Sequence, residues 1–365
     1  MLFLPNIKYY FTFLILVKHT QYIWLCFLLF IGLVPVKGQD VSFSQVYSSP
    51  LYLSPSFAGY TAGGRVALNY RDQWPGIANT FRSYAFSYDQ YLSRLNSGIG
   101  LLLLRDDQGG GQLVTQNIGV VYAYELALTS QIFFRPGLQF KYAERKIDPS
   151  RLSQVGPDGR IYPWLNSDFP IEQFRKFDAS ASAMVYSDFF WVGLTLDHLV
   201  KSDIGFTDVE SPLPMKTVIY GGAKYRYLEA ARGHGEQSVS LAFMYRKQQD
   251  FHQLDIGTYW FANPLEVGLW YRGIPGLSSG SLGNNDALIF SLGINVGSVH
   301  LAYSYDLTLS DLAGYSGGSN EFSLIYRFSI GNNVSTRRGP IPCSDTNYDS
   351  SGFGSKFRPK RRKFF

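Results

Sequence analysis

The sequence predicts an all-β chain, a transmembrane outer-membrane β-barrel of about 14 antiparallel strands. Three observations predict it. Aromatic residues make up 16% of the 365 positions, Gly numbers 36 and charged residues reach only 17%, a mixture rich in strand and turn formers and poor in helix formers. From residue 63 onward, segments of roughly eight to twelve residues alternate apolar and polar side chains, so each set lies on one side of a sheet. The connections then interleave short and long over most of the second half, as in a barrel with short inner turns and long outer loops. A soluble β-sandwich has no reason to lengthen every second connection. The mean hydropathy of -0.07 excludes a polytopic helical membrane protein, which needs several spans of roughly 20 apolar residues. It suits barrel strands, whose alternation averages to near zero.

The elements follow in chain order. Residues 22–34, YIWLCFLLFIGLV, form an uncharged apolar run behind Lys18 and His19, and small Gly38 precedes Gln39. Residues 1–38 therefore read as a secretory signal peptide, with a retained N-terminal anchor as the alternative. Ile23-Trp24-Leu25, before Cys26, lacks the small residue of a lipoprotein signal. Cys26 and Cys343 lie in this run and in the tail, so a processed chain carries one thiol and no internal disulfide.

Residues 39–62 carry Pro50 and Pro55, five aromatic residues, four of them before Gly59, and almost no charge. Each proline removes a backbone donor, so neither a long helix nor a central strand fits. An apolar segment of this sort needs a surface to cover it. It reads as an N-terminal periplasmic arm or plug, with Phe43, Tyr47, Tyr52 and Phe57 as candidate partner-binding side chains.

Residues 63–330 make the barrel, with strands centred near residues 67, 85, 101, 120, 138, 181, 194, 222, 242, 256, 268, 291, 302 and 325. In RVALNYR (65–71), Val66, Leu68 and Tyr70 oppose Arg65, Asn69 and Arg71. The segments around 242, 256 and 325 alternate in the same way. Connections around 127–131, 186–189, 261–264 and 295–299 are short, whereas 148–176, 199–216, 272–285 and 307–320 are long. One pair is out of step, 228–237 and 247–250. Tyr122, Tyr124, Trp191, Trp260, Trp270, Tyr303 and Tyr305 lie near strand ends, where aromatic girdles sit. The polar faces collect Arg65, Arg135, Lys141, Arg246, Arg272 and Arg327 with Glu125, Asp178, Asp197, Asp255, Glu266 and Asp306. Both signs are present, which predicts a crowded, salt-bridged lumen.

The last strand carries a candidate barrel assembly signal: polar Glu321, small Ser323, then aromatic Tyr326 and Phe328, with 37 residues following. Residues 331–365 form a basic tail. Between Arg337 and Phe365 there are eight Lys/Arg and two Asp, which accounts for the net charge of +5 and leaves the remainder near neutral. A nucleic-acid partner is not expected. An even strand count returns the tail to the periplasm, where Arg358, Lys360, Arg361, Arg362 and Lys363 are candidates for an acidic partner. A solvated flexible end is the alternative.

No chemistry-bearing motif survives. GLSSG (276–280) fits G-x-S-x-G around Ser278, but it follows Pro275 in a Gly/Ser-rich loop rather than a strand-turn-helix elbow. DDQGGG (106–111) reads as a hairpin tip, because no Lys-Ser/Thr and no helix follow it. The five His residues lack metal spacing, and His198 and His300 fall near strand ends. No catalytic residue, cofactor or metal is expected, and the chain reads as a non-enzyme.

QDVSFSQVYSSPLYLSPSFAG (39–59), LNYRDQWPGI (68–77), YAFSYDQ (84–90), GIGLLLLRDDQGGG (98–111), FRPGLQFKYAERKID (134–148) and YSYDLTLSDLAGYSGGSNEFSLIYRF (303–328) together resemble the PorP/SprF family of outer-membrane proteins. The family belongs to the type IX secretion and gliding machinery of Bacteroidetes. The resemblance runs over roughly residues 39–330 and rests on the ordered series rather than on one motif. It implies an outer-membrane barrel that assists export, retention or surface anchoring of cargo, motility adhesins included. It also implies periplasmic ring components, lipoproteins, a cargo C-terminal domain and outer-membrane lipid as partners. The alternative is a passive outer-membrane channel or transporter for small solutes.

Overall fold

Alternating side chains in a bilayer leave each strand one lipid face, and every backbone group must then pair with a neighbouring strand. The computed structural model meets that demand by ring closure. It describes residues 40–61, 63–77, 81–148, 153–155, 161–163, 172–200, 213–228, 237–249, 251–273, 285–309 and 313–328. Two compact units divide the chain, Met1–Asp40 and Val41–Phe365. The barrel belongs to the second.

The strands are β1 (Gly64–Gln73), β2 (Phe81–Leu92), β3 (Ser97–Gln108), β4 (Leu113–Tyr124), β5 (Leu126–Ala127), β6 (Phe133–Ile147), β7 (Ser153–Val155), β8 (Ile161–Pro163) and β9 (Glu172–Tyr186). They continue with β10 (Phe190–Asp197), β11 (Lys216–Leu228), β12 (Gln237–Gln248), β13 (Phe251–Ala262), β14 (Leu265–Gly273), β15 (Asn285–Val296), β16 (Val299–Thr308) and β17 (Ser319–Phe328). Fourteen of these form one antiparallel ring, and each predicted strand centre falls within one of them. β4 pairs with β6, β6 with β9, and β1 with β17 from Gly64↔Phe328 to Gln73↔Ser319. Closure removes the sheet edges. β5 pairs only beside β6, and β7–β8 is a separate hairpin inside a long connection. No described helix is long and apolar enough to cross a membrane.

The faces follow the period of two. Arg65, Ala67, Asn69 and Arg71 point inward and are buried, while Leu68 faces out. Ala242 and Met244 are inside and Leu241 outside. Tyr122, Tyr124, Trp260 and Tyr303 face outward as a girdle requires. Trp191 and Trp270 correct that reading, since each is 2% exposed and turned into the lumen. Their strand parity is inward: Val192 and Leu269, the adjacent positions, take the lipid face.

The strand ends that bound the long connections, Ile147 and Glu172, Asp197 and Lys216, Gly273 and Asn285, and Thr308 and Ser319, lie at one rim. Those that bound the short ones, Tyr186 and Phe190, Ala262 and Leu265, and Val296 and Val299, lie at the other. The rim with the longer connections is the outer one. The out-of-step pair stays so, since Leu228 and Gln237 end their strands at the inner rim and Gln248 and Phe251 at the outer. The 109–112 turn is a glycine tip, with φ of 64, 68 and 87 at Gly109, Gly110 and Gly111.

Candidate functional site: a lumen filled by the N-terminal segment

Residues 41–61 run inside the ring. Pro50 opens a one-turn helix, Pro50–Leu53, and Pro55 a 3-10 turn, Pro55–Phe57. Proline suits both places, because a first-turn N–H has no partner within the helix. The helical turn puts Leu51 and Leu53 against the barrel wall, and the 3-10 turn does so for Phe57. Phe57 is fully buried, 5.6 Å from the Tyr220 ring and 5.6 Å from Tyr60. Tyr47 stands edge-on to Trp191 at 5.7 Å and accepts a hydrogen bond from its indole N–H at 3.1 Å. The Trp270 ring centre lies 6.2 Å from that of Tyr47, tilted at 48°. Those two inward tryptophans form the socket for Tyr47.

Polar anchors hold both ends of the segment. At its start, Glu321 of β17 accepts the backbone N–H of Ser44 at 2.7 Å and of Gln45 at 3.0 Å. The Ser44 hydroxyl donates to Asp306 at 2.6 Å and accepts from Arg71 at 2.6 Å and Arg272 at 3.0 Å. Arg71 bridges Asp306 and Glu321, Arg272 bridges Asp306 and Asp255, and Arg246 pairs with Asp255 while donating to Ser42 at 2.5 Å. Three cations and three carboxylates from β1, β12, β13, β14, β16 and β17 thus converge on residues 42–45. Burial of so many charges is tolerable only when each is paired and hydrogen-bonded.

At the other end, Arg135 donates to the carbonyls of Ser56 (3.0 Å) and Ala58, and its third contact is Glu125 at 2.8 Å. A guanidinium so placed satisfies the carbonyls that a short helical turn leaves without partners. Asp89 accepts the Gly59 N–H at 2.9 Å and is forked by Arg65, whose guanidinium lies 4.4 Å from the Tyr60 ring centre. Gly98 and Gly137 are where the plug backbone comes closest. A Cβ on Gly98 would lie 1.8 Å from the Ala58 oxygen, and one on Gly137 2.5 Å from the Ser56 nitrogen.

The residues singled out in the sequence distribute as follows. Phe43, Tyr47 and Phe57 are buried in the lumen, and Tyr52 is half-buried, edge-on to Phe43 at 5.2 Å. The surface they cover is the chain's own barrel. Glu321 and Ser323 face inward, Tyr326 faces out, and Phe328 stacks on Tyr326 and Tyr88. Glu321 is thus also the receptor for the plug, a role that its place in a terminal-strand pattern did not reveal. Asp89 and Ser44, equally central, carry no sequence signal of their own. His198 lies 2.6 Å from Asp178 and His300 3.0 Å from Asn295, the ordinary hydrogen-bonded barrel reading. Residues 1–38, Ser278 and the tail with Arg358, Lys360, Arg361, Arg362 and Lys363 lie outside the described residues.

A closed ring with an apolar exterior and a lumen filled by its own leading segment defines a plugged β-barrel of the outer membrane. Residues 36–326 match the family described as type IX secretion system membrane protein PorP/SprF. The chain belongs to that family, and so is a secretion-associated outer-membrane barrel. Among solved structures it is similar to CdiB from Acinetobacter baumannii, at 8% identity over 72% of this chain and 60% of that one, with a TM-score of 0.41. The chain thus spans less than two thirds of CdiB. It is also similar to the CymD monoaromatic hydrocarbon channel (8% identity, 81% of this chain and 96% of that one, TM-score 0.46). The Ralstonia pickettii toluene transporter TbuX aligns at 10% identity over 76% and 93%, TM-score 0.43. At these values no function carries across. No curated protein matches the sequence.

Proposed function

We propose that the barrel serves type IX secretion as a closed platform that retains or anchors cargo at the outer surface, and that it performs no catalysis. The observation that carries this reading is the filled lumen. A solute channel needs a wetted path, whereas here aromatic rings and paired charges occupy the interior around residues 42–60. The outer rim, with its longer connections, faces a cargo C-terminal domain such as that of a motility adhesin. The basic tail offers its cations to periplasmic ring components or lipoproteins. The test compares cells with and without the chain. Cargo lost from the surface into the medium, with small-solute uptake unchanged, is the expected result. Normal cargo display with reduced solute uptake would instead make the barrel a channel.

A further inference from the structure

We infer that the outer wall of the barrel binds a phosphorylated, acylated lipid of the outer leaflet. The wall around the β17–β1 closure is recessed into a groove of about 980 Å³. Its floor is one cross-strand row. Leu68 pairs with Leu324 and Phe86, Leu324 with Leu301, and Phe86 with Leu103. The row runs from Leu265, at the inner end of β14, to Ile118 in mid-β4. Eight strands at about 4.8 Å spacing give it a length of roughly 34 Å. Leu324, Leu103 and Leu301 in this row keep 39%, 36% and 43% of their surface. Most of the lining is aliphatic or aromatic, suited to acyl chains rather than to a polar ligand.

The groove leads into a second, polar cleft of about 370 Å³, and Tyr84, Arg105 and Gln116 line both. This cleft climbs to the outer rim between Arg82, Lys146 and the Gly110–Gly111 turn. Its three cations share it with Asp107 and Asp148. Arg82 and Arg105 reach Asp72 at 3.7 Å and Asp107 at 3.0 Å, yet their side chains remain 52% and 49% exposed. Lys146 is exposed as well. The order matches one amphiphile: acyl chains along the wall, then an anionic headgroup against cations at the level of the outer-leaflet surface. A zwitterionic phospholipid gains little from the cations, and inorganic phosphate gains nothing from the groove.

The experiment uses the full chain purified in detergent, with native mass spectrometry reading retention of three probes: bisphosphorylated lipid A, phosphatidylcholine and inorganic phosphate. Lipid A is expected to stay bound while the other two wash off. Combined Arg82→Gln, Arg105→Gln and Lys146→Gln should weaken lipid A retention roughly tenfold, as three exposed charge contacts would. Leu68→Trp, which fills the groove and leaves the rim cations in place, should also weaken it. These positions face away from the plug, and heat-modifiable mobility reports that each variant is folded. Equal retention of phosphatidylcholine, competition by phosphate alone, unchanged binding in both variants, or a second copy of the chain in place of lipid would each overturn the assignment.

Discussion

Replacing Glu321 by Ala should release the start of the plug without opening the ring. The carboxylate is fully buried and holds the Ser44 and Gln45 amides and one edge of Arg71. Arg71 keeps Asp306 at 2.8 Å, so the loss falls on the two amides and on an unbalanced positive cluster. Removing one partner of a buried pair costs about 3–5 kcal/mol, which raises the opening equilibrium of residues 41–48 by about one hundred to several thousand fold. Amide hydrogen exchange read by mass spectrometry measures this directly. The peptide over 41–48 should lose protection by that factor, while the strand amides of β9 and β10 stay as slow as in the parent. Heat-modifiable mobility would confirm that the barrel itself is intact. Unchanged protection over 41–48 in a folded variant would refute the latch.

Other perturbations separate the plug from the wall and the tail. Gly98→Ala places a carbon in the space of the Ala58 oxygen, so exchange over residues 55–60 should rise and bilayer conductance appear. Phe57→Ala removes a fully buried ring and should destabilise plug seating by about 3–5 kcal/mol, seen as faster exchange at the same peptide. Gln at Arg358, Lys360, Arg361, Arg362 and Lys363 should weaken co-purification with periplasmic partners in a salt-dependent way. Equal recovery across a salt series would make the tail a solvated end. Phe328→Ala should lower the amount of inserted protein on immunoblots of outer membranes, and an unchanged amount would remove that residue from the assembly signal.

The ring was legible in the sequence because lipid enforces its period: an inward Arg65 or Asn69 beside an outward Leu68 can be read from spacing alone. The destination of residues 39–62 was not. Their prolines and aromatic rings announced a need for cover, but the cover depends on Glu321, which lies 277 positions from Ser44. Charges from six strands meet there only after closure. Trp191 and Trp270 misled for a related reason. An aromatic ring near a strand end serves a girdle or a socket equally well, and parity decides which. The β7–β8 hairpin sits among Pro149, Pro157 and Pro163, where proline spacing hides a strand signal.

A closed platform requires that the plug stay seated while the barrel works. Ser56 and Ser182 lie with their hydroxyl oxygens 2.7 Å apart, one on the plug and one on β9. Cysteine at both positions, with Cys343→Ser to remove the tail thiol, should form a disulfide that locks the segment in the lumen. Surface cargo on whole cells, counted by antibody labelling with and without reductant, then decides the matter. Parental cargo display with the lock closed is the expected result. Display that collapses in the oxidised variant and returns on reduction would show that the lumen must empty for function.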